Sequence, residues 1–329
     1  MDQIKNIEDL RENDDNRGLD MKRQMFKDCI QPSVQLISQA LRNQMIIPSW
    51  GEFCSRIKEI FDECRDVTGG EVATYIPQLA RQDPTLWGMS ICTIDGQRVS
   101  YGDFKRNFCI QSVSKAFNYS IVASDLGAET VHSYVGHEPS GRLFNEICLD
   151  GSGKSKFFLT ILIMTNLYLI WMAYSFDYRF LSERDSADRN YALSYYMKEN
   201  NCFPSGTKSL REELDLYFQL CSLETNCDTL AVMAATLANG GVCPLTDERC
   251  VAPQPCRDVL SLMYSCAKSG VSGVMIVVVP NLMGIALFSP PLDKMGNSTR
   301  GVAFCRVRNR FEKLYKNKGI ELSSVLYLF

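Results

Sequence analysis

Between Met21 and Cys64 apolar residues recur every three or four positions, first through "MFKDCIQPSVQLISQALRNQ" and then "WGEFCSRIKEIFDEC". That period puts the apolar side chains on one stripe of a helix, so a small helical N-terminal subdomain is expected over 19–68, closed by Gly69-Gly70. The period changes in "WGMSICTIDGQRVSYGD" (87–103), where apolar and polar positions alternate on both sides of Asp95-Gly96. Alternation marks strands, and Asp-Gly suits a tight turn, which predicts a β-hairpin. The next stretch, "KAFNYSIVASDLG", reads as a helix stopped by Gly127. "VSGVMIVVVP" and "GIALFS" are instead continuous apolar runs, as strands buried on both faces require. "RGVAFCRVRNRFEKLYKN" returns to an amphipathic helix. Strands toward both ends with helices between predict an α+β fold, a mixed β-sheet sandwiched by helices. The charged residues 1–18 are expected to be disordered, 69–315 to form the main domain, and 316–329 a tail.

One stretch departs from this pattern. "FFLTILIMTNLYLIWMAYSF" (157–176) is nearly uncharged and long enough for a membrane span. Thr160, Thr165 and Asn166 weaken a span; a fully buried helix or strand pair is the alternative, and replaced sequence is preferred to a membrane anchor.

Charge and cysteine content narrow the function classes. The 35 basic and 38 acidic residues give a net charge of −3, without the basic footprint of a nucleic-acid binder. Fourteen cysteines are scattered without a C-x-x-C pair, and only His132 and His137 supply imidazoles. Neither a metal site nor a disulfide framework is expected. The acidic N-terminus has no apolar core of a secretory signal and is not an Arg-rich, acid-poor transit peptide, which points to the cytoplasm.

Candidate chemistry lies in "FCIQSVSKAF" (108–117), where Ser112 and Lys115 stand three apart. On a helix that spacing brings both onto one face. A serine hydroxyl needs a base to become a nucleophile, and lysine can be that base once its pKa is lowered by burial. A helix-capping serine followed by a solvated lysine is the alternative that these residues alone leave open. Lys268-Ser269-Gly270, directly before a predicted strand, adds weight, since acyl-serine enzymes pair S-x-x-K with such a box. The N–H groups of Val271 and Ser112 would then form an oxyanion hole.

The blocks "YIPQLA", "CTIDGQR", "VGHEPSGRLFN", "SERDSADRNYALSYY", "CFPSGT", "LDLYFQLCS", "VMAATLANGG" and "SPPLDKMGNS" resemble the glutaminase family of the serine β-lactamase-like, transpeptidase-like fold, nearest the animal mitochondrial type. The resemblance covers roughly 20–150 and 181–310. It implies hydrolysis of L-glutamine to L-glutamate and ammonia, with Ser112 as nucleophile, Lys115 as base and Tyr75 as a proton-relaying neighbour. It also implies substrate contacts from Gln111, Glu183, Asn190, Tyr217 and the Val271 backbone. Glu183 and Asn190, seven apart, would share a helix face. Without the family, Tyr75 and Tyr217 read as core aromatics and Glu183–Asn190 as a solvated helix. No cofactor is implied; phosphate as activator, a homo-oligomer (dimer or tetramer) and a mitochondrial location are.

Two segments depart from the family. Residues 151–180 replace a stretch that carries a substrate-binding asparagine, and a tyrosine-bearing stretch is missing around 266–268. The alternative function is therefore a catalytically impaired subunit that acts by assembling with intact ones.

Overall fold

The computed structural model describes residues 23–31, 34–41, 45–135, 179–203, 207, 209–265 and 269–306. The chain divides into two compact units, Met1–Pro48 and Ser49–Phe329. The first contains α1 (Arg23–Ile30) and α2 (Val34–Leu41). The second begins with α3 (Trp50–Arg65) and the one-turn α4 (Pro77–Ala80), followed by the hairpin β1 (Gly88–Thr93) and β2 (Arg98–Gly102) and the short β3 (Phe108–Cys109). Helices α5 (Ser114–Leu126), α6 (Ala128–Tyr134), α7 (Arg179–Asp185), α8 (Asp188–Glu199) and α9 (Leu210–Cys221) come next. Then follow β4 (Glu224–Thr225), α10 (Cys227–Ala238), α11 (Pro253–Ser265), β5 (Ser269–Gly270), β6 (Val274–Val279), β7 (Met283–Phe288) and α12 (Thr299–Arg306). The apolar run 157–176, the termini 1–18 and 316–329, and residues 266–268 lie outside the described residues. No helix among the described residues is long and apolar enough to cross a membrane.

The expected α+β architecture is present. Its main sheet has the order β2-β1-β7-β6-β5, and every pairing is antiparallel, where the sequence pattern suggested a mixed sheet. The reason is connectivity: β1–β2 and β6–β7 are hairpins, and tight turns join only antiparallel strands. The Asp95-Gly96 turn forms as predicted, with Gly96 at φ +88 and the Thr93 N–H donating to Gln97 O at 2.9 Å. After the intervening helices, β7 returns beside β1 in register from Gly88↔Phe288 to Thr93↔Met283.

Strands β1, β6 and β7 are buried at every position, because helices cover both faces of the sheet. Cys92, Ile276, Val278, Ala286 and Phe288 join Ala231, Ala234 and Ala235 of α10 in one core cluster. The opposite face receives α12, whose Gly301 lies against Met275. Helix α3, which the sequence pattern grouped with the N-terminal helices, belongs to the larger unit. Its buried residues Phe53, Ile57, Ile60 and Phe61 face α12 and β2. Phe61 stacks on Trp87 at 5.1 Å and Trp87 meets the edge of Phe304 at 6.4 Å. Amphipathic spacing shows that a helix has a buried side and is silent about which partner covers it.

At Gly284 helix α10 approaches the sheet closely. A Cβ there would fall 2.1 Å from the Ala235 backbone nitrogen, and backbone cannot yield as a side-chain end can. Gly284→Ala should therefore destabilise the fold by about 1–3 kcal/mol, the usual cost of overpacking. Gly51, in the first turn of α3 with open space around its Cα, should respond with the opposite sign, Gly51→Ala gaining up to about 1 kcal/mol. Urea midpoints of the two variants against the parent chain check both.

Candidate active site

The site begins with a strand too short to stand alone. β3 pairs with β4 through Phe108↔Thr225 and Cys109↔Glu224, and the Ile110 N–H donates to Leu223 O at 2.9 Å. Phe108 stacks on Phe288 at 4.4 Å, which fixes this segment to the main sheet. The chain then turns through a single 3₁₀ turn, Gln111–Val113, into α5. Gln111 holds φ +50, a left-handed backbone that is uncommon for a residue with a Cβ. This bend presents Ser112 at the mouth of the helix, with Lys115 in the first turn. Lys115 Nζ donates to Ser112 Oγ at 3.0 Å, so the two residues do meet.

The lysine is electrostatically unusual. Burial of its amine pushes its pKa below the ordinary 10.5, and the nearby Cys221 sulfur opposes this only in part. Among the described residues no carboxylate pairs with it. The face of Tyr217 lies 5.9 Å from Nζ to the ring centre. A buried amine without an anion favours its neutral form, which is the form able to take a proton from serine.

A second cluster lies beside the first. Tyr75 donates to Glu183 Oε1 at 2.8 Å, and Gln111 Nε2 donates to the same oxygen at 2.8 Å. Burial raises the Glu183 pKa, while the two donors pull it back by stabilising the carboxylate. Tyr75 is pushed far above the usual phenol range, first by desolvation and then by the Glu183 charge. Among the described residues the Tyr75 hydroxyl bonds to Glu183 and, at 3.5 Å, to Gln111 Oε1, and to neither Ser112 nor Lys115. Gln111 thus connects the nucleophile's turn to the acidic cluster. Glu183 is set in place from both sides: Gln78 of α4 donates to Ser182 Oγ at 2.8 Å, and Arg184 reaches Asp215 of α9 at 3.9 Å.

Two sequence expectations differ in detail. Glu183 and Asn190 do not share one helix, because α7 ends at Asp185 and α8 starts at Asp188. The break is made locally: Ser186 Oγ donates to Ser182 O at 3.0 Å and the Ala187 N–H turns back to Arg184 O at 3.3 Å. Asn190 is half-buried in the first turn of α8, and no hydrogen bond joins it to the Ser112–Lys115 pair among the described residues. Sequence reasoning also passed over Cys221, one helical turn after Tyr217 and buried beside Lys115. Burial holds its thiol protonated, with a pKa pushed up to about 12. The four-residue spacing from Tyr217 on an amphipathic helix was the available signal.

The last component is the turn after β5. Gly273 at φ +92 closes a four-residue turn by donating to Gly270 O at 2.8 Å. Val271 is the second residue of that turn, and among the described residues its N–H donates to no backbone carbonyl. A Cβ on Gly270 would lie 2.9 Å from Gln111 Cβ and 3.0 Å from Ile110 O, so the edge strand packs directly on the nucleophile's turn. The Ser112 and Val271 backbones are therefore neighbours. Serine, buried lysine and two backbone amides are the components of acyl transfer.

A family model described as Glutaminase matches residues 70–158 and 171–313, and one described as EF-hand domain matches 1–48. A Caenorhabditis elegans protein provisionally named glutaminase 2 is 55% identical, over 93% of this chain and 58% of its own length. The rat "Glutaminase liver isoform, mitochondrial" is 42% identical over 87% of this chain and 54% of its own. The cyanobacterial "Glutaminase" of Nostoc is 39% identical over 81% and 89%. Among solved structures, Mglu in its L-glutamate binding form superposes with a TM-score of 0.70 at 32% identity, covering 77% of this chain and 65% of that one. The chain thus spans less than three fifths of the animal relatives' length.

The lowered Lys115 pKa has a sign that can be measured. Between that pKa and the ordinary 10.5, the unfolded chain binds a proton at this lysine that the folded chain does not, so stability rises with pH across the window. Below the lowered pKa the folded lysine is protonated too, and its desolvation penalty is constant. Lys115→Met, which keeps the aliphatic bulk, should remove this rise and stabilise the fold at neutral pH. Urea unfolding at a series of pH values tests it; parallel curves for the two proteins would contradict the assignment.

Proposed function

Because the chain belongs to the glutaminase family, we propose that it hydrolyses L-glutamine to L-glutamate and ammonia through an acyl-enzyme on Ser112. The observation that carries this reading is the 3.0 Å contact between Ser112 Oγ and a buried lysine amine of lowered pKa. Neutral Lys115 takes the serine proton as Oγ attacks the side-chain carboxamide carbon. The tetrahedral oxygen is held by the Ser112 and Val271 N–H groups. Collapse releases ammonia, with the proton returned to the leaving nitrogen, and water then attacks the acyl-serine to give L-glutamate. Glu183, anionic and fixed by Tyr75 and Gln111, attracts the substrate ammonium. Tyr217 walls the lysine side, and Asn190 is a further substrate contact by family position. The same reading extends to a homo-oligomer, to activation by phosphate and to a mitochondrial location like the one in the rat relative's name.

A second reading concerns how active this version is. The family match stops at 158 and resumes at 171, and the alignment with the nematode relative runs to 354 positions while covering only 93% of this chain's 329 residues. The relative therefore carries segments without a counterpart, which supports a chain of reduced turnover that acts by assembly with intact subunits. Ammonia release by the purified chain, with glutamine and phosphate at saturation, separates the two.

Ser112→Ala should lower glutamine turnover by several orders of magnitude, because it removes the group that forms the covalent bond. Turnover near that of the parent would reject the nucleophile. Glu183→Gln should instead act on binding, weakening glutamine by about 10–100-fold through loss of a charge-assisted contact. Calorimetry on Ser112→Ala with and without Glu183→Gln reads this without turnover; equal affinities would take Glu183 out of the substrate site.

A further inference from the structure

The turn that carries Val271 is tied to the strand that delivers Ser112 by one bond outside any strand ladder. Ser272 is fully buried, and its Oγ donates to the Cys109 carbonyl at 2.7 Å. A hydroxyl is costly to bury unless it bonds, and at a fully enclosed position alanine would fill most of the same space at less risk. The bond also occupies a particular place. Ser272 directly follows Val271, and Cys109 stands three residues before Ser112. It therefore links, across a short covalent path, the two backbone amides that must converge on one oxygen.

Gly270 packs against Gln111 and Ile110, and beyond that contact few strand bonds hold the turn. β5 is two residues long, sits at the edge of the sheet and, among the described residues, pairs only with β6, through Ser269↔Met275 and Gly270↔Val274. Gly270 has no side chain to lock its path. The other flank of Val271 has its own tie: Ser269 Oγ donates to Asn297 Oδ1 at 2.6 Å, and the Asp293 carboxylate holds that loop by accepting the Met295 and Asn297 N–H groups at 2.8 and 3.0 Å. Ser269 anchors the turn away from the nucleophile, whereas Ser272 anchors it toward the nucleophile.

We propose that Ser272 is a positioning residue for the acyl-transfer step, its hydroxyl setting the separation of the Val271 and Ser112 N–H groups through the Cys109 carbonyl. This rests on Ser112 being the nucleophile. A displaced donor weakens binding of the tetrahedral oxyanion and leaves ground-state binding of substrate untouched, so the effect falls on the rate constant and spares affinity.

The test uses the γ-p-nitrophenyl ester of L-glutamate with the full chain. Ser112 Oγ forms the acyl bond, the ester C–O bond breaks, p-nitrophenolate leaves as the optical signal and Lys115 takes the serine proton; water then releases L-glutamate. The activated leaving group needs no proton, so acylation can be read even where amide turnover is low. Ser272→Ala should lower the acylation rate constant about tenfold, in line with a small misplacement of one donor. The half-saturating ester concentration and calorimetric L-glutamate affinity should stay within about twofold, since neither depends on the oxyanion contact. An unchanged rate constant, or a rate loss matched by an equal loss of glutamate affinity, overturns the proposal. If Ser272→Ala fails to fold by circular dichroism, Ser272→Cys, which keeps the volume with a weaker donor, carries the same comparison. A parent chain that releases no p-nitrophenolate, or a Ser112→Ala variant that still does, overturns the nucleophile assignment and this inference with it.

Discussion

The site depends on keeping a lysine amine out of water and, among the described residues, unpaired with any carboxylate. A charged amine in that setting loses its hydration and, among the described residues, gains no carboxylate to replace it, so the neutral form gains. The Glu183 carboxylate could have cancelled this by pairing with Lys115. Among the described residues it forms no such ion pair, and its Oε1 accepts from Tyr75 and Gln111. That arrangement divides the site in two: an amine whose pKa burial lowers beside the serine, and a carboxylate held by Tyr75 and Gln111. Either half would be altered if the other moved, since Gln111 belongs to the anion's shell and also bends the chain into Ser112.

The fold supports that division by anchoring each component to a different part of the sheet. Phe108 on Phe288 fixes the approach to the nucleophile, and Gly270 against Ile110 and Gln111 fixes the edge strand to the same turn. Helices α7 and α9 bring Glu183, Tyr217 and Cys221 over the top, coupled by the Arg184–Asp215 contact. The helix α10 lies on the sheet so closely that Gly284 meets its backbone, which leaves little freedom for the sheet to shift. Rigid packing matters because the chemistry proposed for this site is sensitive to misplacement of its groups by a fraction of an ångström.

Local pattern in the sequence determined the elements and the central pair. Alternation around Asp95-Gly96, the two apolar runs that became β6 and β7, and the stop at Gly127 depend on neighbours a few residues away, and so does the three-residue step from Ser112 to Lys115. The K-S-G box likewise marked the turn that carries Val271. Tertiary structure decided what depends on distant partners. Only packing on α12 and the sheet shows that α3 belongs to the larger unit, since its apolar stripe would fit any cover. Only the fold shows that Tyr75 serves Glu183, that a break at Ser186–Ala187 puts Glu183 and Asn190 on separate helices, and that Ser272 reaches back to Cys109. These residues lie as far as 163 positions apart. The energies that join them come from desolvation and from hydrogen bonds formed across the fold, and no local pattern encodes those.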